Sequence, residues 1–167
     1  YAGLMITAEN QAKVLEFNCR MGDPETQPIL LRLKSDLFTL IEHAVNRTLD
    51  KVDIEWDRRA ALGVVMAAHG YPENPRKNDV IHGLSDLMTE QEGTDNFHIF
   101  HSGTLASGKD GKEITTAGGR VLCVTALGDS IKIAQQNAYK LIDKIYFNDY
   151  QVRRDIGYQG INYQRKK

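Results

Sequence analysis

A dense cluster of polar side chains occupies residues 16–27 of this 167-residue chain. Glu16 and Asn18 are two apart in a strand-like run, so their side chains should leave the same face of a strand, roughly 6–7 Å apart at the backbone. Both offer the hard oxygen ligands that suit Mg²⁺, which proteins usually bind through one or two side chains plus substrate phosphates. Arg20 could then hold a phosphoryl or carboxylate group through its fork of donors. The whole cluster comprises three carboxylates, two amides and an arginine: Glu16, Asn18, Arg20, Asp23, Glu25 and Gln27.

The same pattern also has a purely structural interpretation. Glu16 and Asn18 would then lie on a solvated strand face. Asp23 would cap a helix that has Pro24 at its first position and Glu25 in its first turn. Spacing alone leaves the metal site and the structural interpretation both open.

The elements that must position this cluster can be read from hydrophobic periodicity. Residues 1–6 and 13–18 flank a polar stretch and predict a hairpin. A helix is predicted to start at Asp23, and a second helix follows Ser35. The second helix carries an apolar stripe at helical spacing, which predicts a core face. Its members are Leu37, Leu40, Ile41, Ala44 and Val45.

After Arg58 the pattern changes to strands and turns. Four strands are predicted, with a turn at residues 108–111, and the charged stretch at residues 50–57 is the expected domain boundary. A helix capped by Ser130 and ending at Asn148 should follow. This order predicts an α+β fold with a mostly antiparallel sheet covered on one face. The predicted strands span residues 60–69, 80–84, 97–105 and 113–127.

Composition narrows the class of protein. The formal net charge of -1 does not indicate a surface that binds nucleic acid. No apolar run is long enough to cross a membrane. We therefore expect a soluble, cytoplasmic protein. Cys19 and Cys123 lack metal-site spacing and are expected to be buried, reduced thiols. The basic residues near the end of the chain, within residues 163–167, are expected to form a solvated tail. The chain opens on a strand-like run without an initiator Met, so we expect it to be the end of a longer protein.

Three other features are interpreted as structural. His98 and His101 are three apart in a strand and point to opposite faces, which does not suit a metal pair. Gly118 and Gly119 lack the spacing of a phosphate-binding loop, so they predict a bulge or a close backbone approach. Trp56 is expected to be a packing anchor.

The run LEFNCRMGDPETQPILLRLKSDL closely resembles the signature of the phosphoribosylamine-glycine ligases, an ATP-grasp family whose usual form is EFN-x-R-F-G-DPE-x-Q. The runs TAGGRVL, VTALG and RRDIG resemble later parts of the same family, so that the resemblance extends over residues 1–157. Met21 replaces the usual Phe, a swap between apolar residues. Gln159 and Gly160 depart from the family's Arg-Ala pair.

The resemblance implies that residues 1–56 are the final hairpin and helices of an ATP-grasp lobe and that residues 57–167 form a carboxy-terminal α+β domain. It implies an enzyme that uses ATP to join glycine to 5-phosphoribosylamine in purine biosynthesis. Glu16 and Asn18 match the family's ligands for Mg²⁺ (or Mn²⁺), which bridge the ATP phosphates. Arg20, Asp23 and Glu25 are candidates for holding the substrates. Its partners would be these small molecules and the remaining domains of the enzyme, and neither nucleic acid nor membrane.

Two rival functions stay open at this point. One is another ATP-grasp ligase, such as a biotin-carboxylase-like enzyme. The other is a non-catalytic packing or interaction module, which is favoured by the stretch after Asp57 because that stretch lacks a dense polar cluster.

Overall fold

The computed structural model describes residues 2–108 and 111–162. Two predictions fall wholly or partly outside these residues. Lys109 and Asp110 belong to the predicted turn at residues 108–111, and the predicted basic tail lies within residues 163–167.

The chain begins with the predicted hairpin. Strands β1 (Ala2–Ile6) and β2 (Ala12–Phe17) pair antiparallel, with Ala2 opposite Phe17 and Ile6 opposite Ala12. The hairpin forms a two-stranded sheet of its own. Its apolar side chains are largely exposed, and Phe17 reaches 75% exposure.

Two helices and a 3-10 turn follow: α1 (Thr26–Arg32), α2 (Leu37–Val45) and Leu49–Lys51. The predicted N-cap of α1 was wrong by two residues, because Asp23 lies in a turn before the helix and Glu25 occupies the N-cap position. Pro28 falls in the first turn of α1, where the missing N–H has no helical partner to lose. Asp36 caps α2 by accepting a hydrogen bond from the Thr39 N–H at 2.7 Å.

The apolar stripe of α2 does not form a core face in this chain. Ile41 and Val45 are 53% and 77% exposed, and the neighbouring Phe38 is 69% exposed. Among the described elements α2 contacts chiefly the 3-10 turn that follows it, so no layer covers the stripe. The periodicity was correct, but the predicted burial was wrong.

The main sheet has four antiparallel strands in the order β4-β7-β3-β8. They are β3 (Ala60–Ala67), β4 (Phe97–His101), β7 (Arg120–Gly128) and β8 (Gln151–Val152). Strands β5 (Thr104–Ser107) and β6 (Glu113–Thr116) form a separate pair. The mostly antiparallel α+β architecture is confirmed.

Each of the two long predicted strands is broken in two. The breaks meet at Gly103, whose carbonyl accepts hydrogen bonds from the N–H groups of Ala117 and Gly118 at 2.7 and 3.2 Å. These bonds end the ladder of the main sheet and begin that of the β5–β6 pair. The predicted strand at residues 80–84 forms only isolated bridges, from Val80 to Thr115 and from His82 to Tyr146.

Three further helices complete the fold: α3 (Leu84–Glu92), α4 (Ile131–Ile142) and α5 (Tyr158–Asn162). The sequence pattern did not predict α3. Ser130 caps α4 as predicted, accepting from the Ile133 N–H, but the helix ends before the predicted Asn148. Ile145 and Phe147 beyond its end remain buried in the core. Within the residues described, no helix has the length and apolar character needed to span a membrane.

Both faces of the main sheet are covered, whereas one covered face was predicted. On one face Leu62, Val64 and Met66 of β3 form the core with Ala134 and Ala138 of α4. On the other face α1 packs against β3, β7 and β4. Strand β7 is consequently buried from Val121 to its end.

The two cysteines have different environments. Cys123 on β7 is buried, and its burial raises the pKa of the thiol to about 11. Cys19 is exposed, which contradicts the expectation of two buried thiols. The structural reason is that the segment after β2 runs along the surface of this chain.

Asp57, the last residue of the charged stretch at residues 50–57, forms hydrogen bonds with Arg59 and with Arg32 at the end of α1. It is 7% exposed, and its carboxylate accepts hydrogen bonds from the Arg59 side chain, with Nη2 at 2.7 Å. Arg32 donates to the Asp57 carbonyl, and the Asp57 N–H donates to the Arg32 carbonyl at 2.7 Å. The side-chain and backbone donors of Arg59 hold the pKa of the Asp57 carboxyl well below its ordinary value.

We predict that Asp57→Asn lowers the free energy of unfolding of the 167-residue chain by about 2 kcal/mol at pH 7, since it removes charge-assisted hydrogen bonds at a buried site. A carboxyl with a depressed folded pKa contributes stability above its unfolded pKa of about 3.9 and loses it as pH falls further. The difference from wild type should therefore hold down to about pH 4 and shrink below it. Urea titrations at several pH values measure this, with exposed Asp53→Asn as the control. Equal stability of Asp57→Asn and wild type at pH 7 would contradict the assignment.

Candidate functional site

The end of the hairpin carries the two residues predicted to bind metal. Glu16 lies on β2 opposite Gly3 of β1. A side chain at Gly3 would crowd Glu16, because a Cβ built there lies 3.2 Å from the Glu16 Cγ. Asn18 follows directly after β2 and is half-buried, whereas Glu16 is exposed. Both side chains therefore sit at one end of one strand.

The donor set of these two residues fits Mg²⁺ as a partial shell. Carboxylate and amide oxygens are the hard ligands that this ion takes. Across residues 2–108 and 111–162, no group of three or more His, Cys, Asp and Glu is arranged to hold a metal ion. Such a cluster of protein ligands is thus not formed by this part of the chain, and Glu16 and Asn18 could supply only part of a metal shell.

The turn that links the hairpin to α1 is folded tightly on itself. Gly22 is buried, and the side chain of Glu25 lies so close that any Cβ at Gly22 would collide with it. The Thr26 N–H donates to the Gly22 carbonyl at 3.0 Å. Arg20 donates to the Met21 carbonyl at 3.1 Å. A side chain at position 22 would therefore force the Glu25 carboxylate to move from its place in this turn.

Asp23 connects this turn to the main sheet. Arg120, the first residue of β7, places Nη1 2.6 Å from the Asp23 carbonyl oxygen and 3.1 Å from the Asp23 carboxylate. The Nε of Arg120 donates to the Tyr71 hydroxyl at 2.9 Å. Gln27 donates to the Asp23 carboxylate from the opposite side of the turn, at 3.3 Å. Asp23 is therefore an anchored residue.

Helix α1 approaches the sheet closely just beyond this anchor. A Cβ on Gly63 of β3 would lie 3.4 Å from Pro28 Cδ, 3.2 Å from Cys123 Sγ and 3.3 Å from the Thr125 hydroxyl oxygen. A methyl group at position 63 would only touch Pro28, but a longer side chain would press on α1. A small residue there thus allows α1 to pack directly on β3.

An open groove of about 580 Å³ lies beside Pro24 on the same face of the sheet. Its floor is formed by Gly63, Val65 and Ala67 of β3. Polar side chains and two arginines stand around that apolar floor, and both arginines are paired with carboxylates, Arg120 with Asp23 and Arg153 with Asp155. The remaining lining residues are Tyr71, Arg120, Gln151, Val152, Arg153 and Ile156.

The predicted site residues are only partly brought together. Glu16 and Asn18 share the end of β2, whereas Arg20, Asp23 and Glu25 belong to the turn before α1. Sequence reasoning missed Arg120, the partner of Asp23, and Tyr71, which accepts a hydrogen bond from Arg120. A signal was present, because the close approach predicted at Gly118–Gly119 is confirmed: a Cβ on Gly119 would lie 2.5 Å from the ring of Tyr71.

The other residues considered from sequence lie away from this segment. His98 packs against Phe100 with ring centroids 4.4 Å apart, and His101 is 3.0 Å from the Thr104 hydroxyl. Burial lowers the pKa of both histidines. Trp56 forms an isolated bridge with Leu33 and is 44% exposed, so it is less well packed than expected.

Comparison with known proteins identifies a family and several relatives that this chain resembles. A family model described as "Phosphoribosylglycinamide synthetase, C domain" matches residues 61–159. The phosphoribosylamine–glycine ligase of Ralstonia nicotianae is 52% identical over 161 residues, which cover 96% of this chain and 36% of that protein. The enzyme of the same name from Escherichia coli strain K12 gives the same identity and coverage.

A solved structure agrees with these sequence matches. The crystal structure of the phosphoribosylamine–glycine ligase from Thermotoga maritima superposes with a TM-score of 0.67 at 32% sequence identity. The match covers 93% of this chain and 36% of that one, so the chain spans about a third of the length of its relatives. Because the family model covers more than half of the chain, this chain belongs to the phosphoribosylglycinamide synthetase family.

Proposed function

We propose that this chain is the carboxy-terminal part of a carbon-nitrogen ligase that joins glycine to 5-phosphoribosylamine at the expense of ATP, in purine biosynthesis. The products are glycinamide ribonucleotide, ADP and phosphate. The proposal includes a cytoplasmic location for the enzyme.

The match to ligases over almost the whole chain carries this proposal. Only six of the 167 residues fall outside the 161-residue match, so it includes the candidate segment at residues 16–27. The matched relatives are named as phosphoribosylamine–glycine ligases. A likeness confined to the main sheet would have supported only a shared scaffold.

Glu16 and Asn18 are proposed to hold Mg²⁺ (or Mn²⁺), with ATP phosphates completing the shell. Bound there, the ion would neutralise charge on the phosphates of ATP during transfer. Arg20 is proposed to hold a carboxylate or phosphoryl group through its guanidinium fork. Asp23 and Glu25 were predicted to hold substrates, but their contacts with Arg120 and with Gly22 favour a role in shaping the turn.

The proposed reaction has two steps. The carboxylate of glycine attacks the γ-phosphorus of ATP, which forms glycyl phosphate and releases ADP. The amine of 5-phosphoribosylamine then attacks the glycyl carbonyl carbon, so that the C–N bond forms, the C–O bond to phosphate breaks and the amine loses a proton. Such transfers depend on positioning and charge stabilisation more than on a protein nucleophile. A segment held rigidly at the end of a strand is suited to that task.

Residues 1–56 are proposed to be the end of an ATP-grasp lobe and residues 57–167 a separate carboxy-terminal domain. Every buried apolar residue of the core follows Asp57 in the sequence. The hairpin and α2, by contrast, expose apolar faces within this chain. The buried Oε1 of Gln27 accepts no hydrogen bond from the residues described. These features support a partner surface supplied by the remaining two thirds of the enzyme, which would cover the apolar faces.

The 167-residue chain alone should have no ligase activity, because the nucleotide-binding lobe that must face Glu16 and Asn18 is not part of it. ADP formation that depends on both glycine and 5-phosphoribosylamine should stay at background in a coupled assay, while the full-length enzyme turns over. Substrate-dependent ADP production by the chain alone would contradict the proposed division of the site.

In the full-length enzyme, Glu16→Gln should lower kcat by about 100-fold or more while leaving the fold intact, because a preorganised charge at the transferring phosphate is lost. Circular dichroism and thermal unfolding report the fold. Glu92→Gln, at the exposed end of α3, serves as the matched control and should retain activity. Near-normal turnover of Glu16→Gln would remove Glu16 from the metal shell.

A further inference from the structure

Arg120 lies in the carboxy-terminal domain, yet its guanidinium group contacts the turn that carries the candidate site. Its Nη1 donates to the Asp23 carbonyl oxygen at 2.6 Å and forms an ion pair with the Asp23 carboxylate at 3.1 Å. Ninety-seven residues of sequence separate the two partners. The contact therefore bridges the two regions of the chain.

We infer that Arg120 is a positioning residue for the ligase reaction, which fixes the turn at residues 20–25, and with it the metal-binding end of the hairpin, against the main sheet. This inference rests on the proposed function. Arg120 acts through Asp23 and is not assigned a contact with substrate.

The guanidinium group is itself held in place. Its Nε donates to the Tyr71 hydroxyl at 2.9 Å, so the fork engages a partner on each side. A lone, half-exposed ion pair contributes little, since it is screened and costs side-chain entropy. A planar fork bound at two nitrogens instead has a defined orientation.

Backbone hydrogen bonds hold the turn that carries Tyr71. Tyr71 lies in the turn after β3, where the Ala68 N–H donates to the Gly119 carbonyl at 2.8 Å and the Tyr71 N–H donates to the Ala68 carbonyl at 3.2 Å. Gly119 leaves room for the ring, because a Cβ there would lie 2.5 Å from Tyr71 Cδ2 and 3.0 Å from Cε2. Asp23, Arg120 and Tyr71 thus form a chain of contacts, here called the tether, that links the turn before α1 to the buried sheet.

The contact between Arg120 and Asp23 lies within the candidate segment, so it can affect the positions of the neighbouring site residues. Asp23 also accepts from Gln27 in the first turn of α1, and Thr26 donates to Gly22, so hydrogen bonds link the turn to the start of the helix. Pro24, next to Asp23, forms one wall of the groove that Arg120 also lines. Misplacement of catalytic groups by about 1 Å can lower a rate by around 100-fold.

The test compares Arg120→Ala with Arg76→Ala. Arg76 is the matched control, because it also bridges distant segments: it pairs with nearby Asp79 at 2.8 Å and donates to the distant Asn148 carbonyl at 2.7 Å, and none of these contacts involves residues 16–27. In the 167-residue chain, hydrogen exchange of the amides at residues 22–27 should be about tenfold faster in Arg120→Ala, as expected for local opening. Exchange in α4 should be unchanged, and Arg76→Ala should leave residues 22–27 as in wild type.

In the full-length enzyme, Arg120→Ala should lower kcat by about tenfold or more and raise the Mg²⁺ concentration needed for half-maximal rate, as expected for a misplaced site. Arg120→Lys should recover part of the loss, since it keeps the charge near Asp23 but cannot span to Tyr71. Tyr71→Phe keeps the ring and removes only the hydroxyl acceptor, so it tests the tether even if Arg120→Ala folds poorly. Like Arg120→Ala, it should speed hydrogen exchange at residues 22–27 and raise the Mg²⁺ concentration needed for half-maximal rate.

Unchanged exchange at residues 22–27 in both Arg120→Ala and Tyr71→Phe would overturn the inference, as would wild-type kcat and Mg²⁺ dependence in Arg120→Ala. An equal loss of activity in Arg76→Ala would reduce Arg120 to a general contributor to stability and would also overturn it. The exchange measurement needs no ligase activity. Faster exchange together with a fully active Glu16→Gln would therefore reject the proposed metal site while the tether itself stands.

Discussion

The close approach of α1 to the main sheet is the constraint on which the rest of the arrangement depends. Gly63 permits it, because any side chain at that position would meet Pro28, Cys123 and Thr125. The approach is fixed at both ends of the helix. Asp23 is held by Arg120 before the helix begins, and Arg32 is bonded to Asp57 where it ends. A seven-residue helix has little stability of its own, so these tertiary contacts determine its position.

This constraint explains how a segment without its own core can be well placed. The hairpin and α2 expose apolar side chains and contribute no residue to the buried core of this chain. Residues 18–25 nevertheless lead directly into a helix clamped on a two-sided sheet. The scaffold therefore contributes to the proposed chemistry by orientation. The sheet-rich region would then support the proposed site. Most of the chain would have a packing role, and only a short segment would have a catalytic one.

The sequence predicted those features that depend on local periodicity and turn chemistry. The hairpin, α2, α4 with its Ser130 cap and strands β3, β4 and β7 of the main sheet were found, because alternation and capping are visible within a few residues. The breaks at Gly103 and Gly118 were missed because a change of strand partner depends on contacts between distant segments. The burial predicted for α2 was wrong for the same reason, since a stripe shows which face is apolar but not what covers it.

The candidate site follows the same rule. The spacing of Glu16 and Asn18 is a local signal, whereas the link between Asp23 and Arg120 spans 97 residues and has no local signature. Spacing left open both a metal site and a solvated strand face; the resemblance to ligases favours the metal site, which stays a prediction. The contact with Arg120 then revised the role of Asp23 from a helix cap to the point where the turn is anchored.

Anomalous scattering from Mn²⁺, in crystals of the full-length enzyme with a non-hydrolysable ATP analogue, would show which residues hold the metal ion. We expect a metal peak about 2 Å from side-chain oxygens of both Glu16 and Asn18, the coordination distance of a small divalent cation. Phosphate oxygens of the analogue should complete the shell, with Arg120 still bound to Asp23. A metal–nucleotide complex held entirely by residues outside this chain would rule out the proposed metal site.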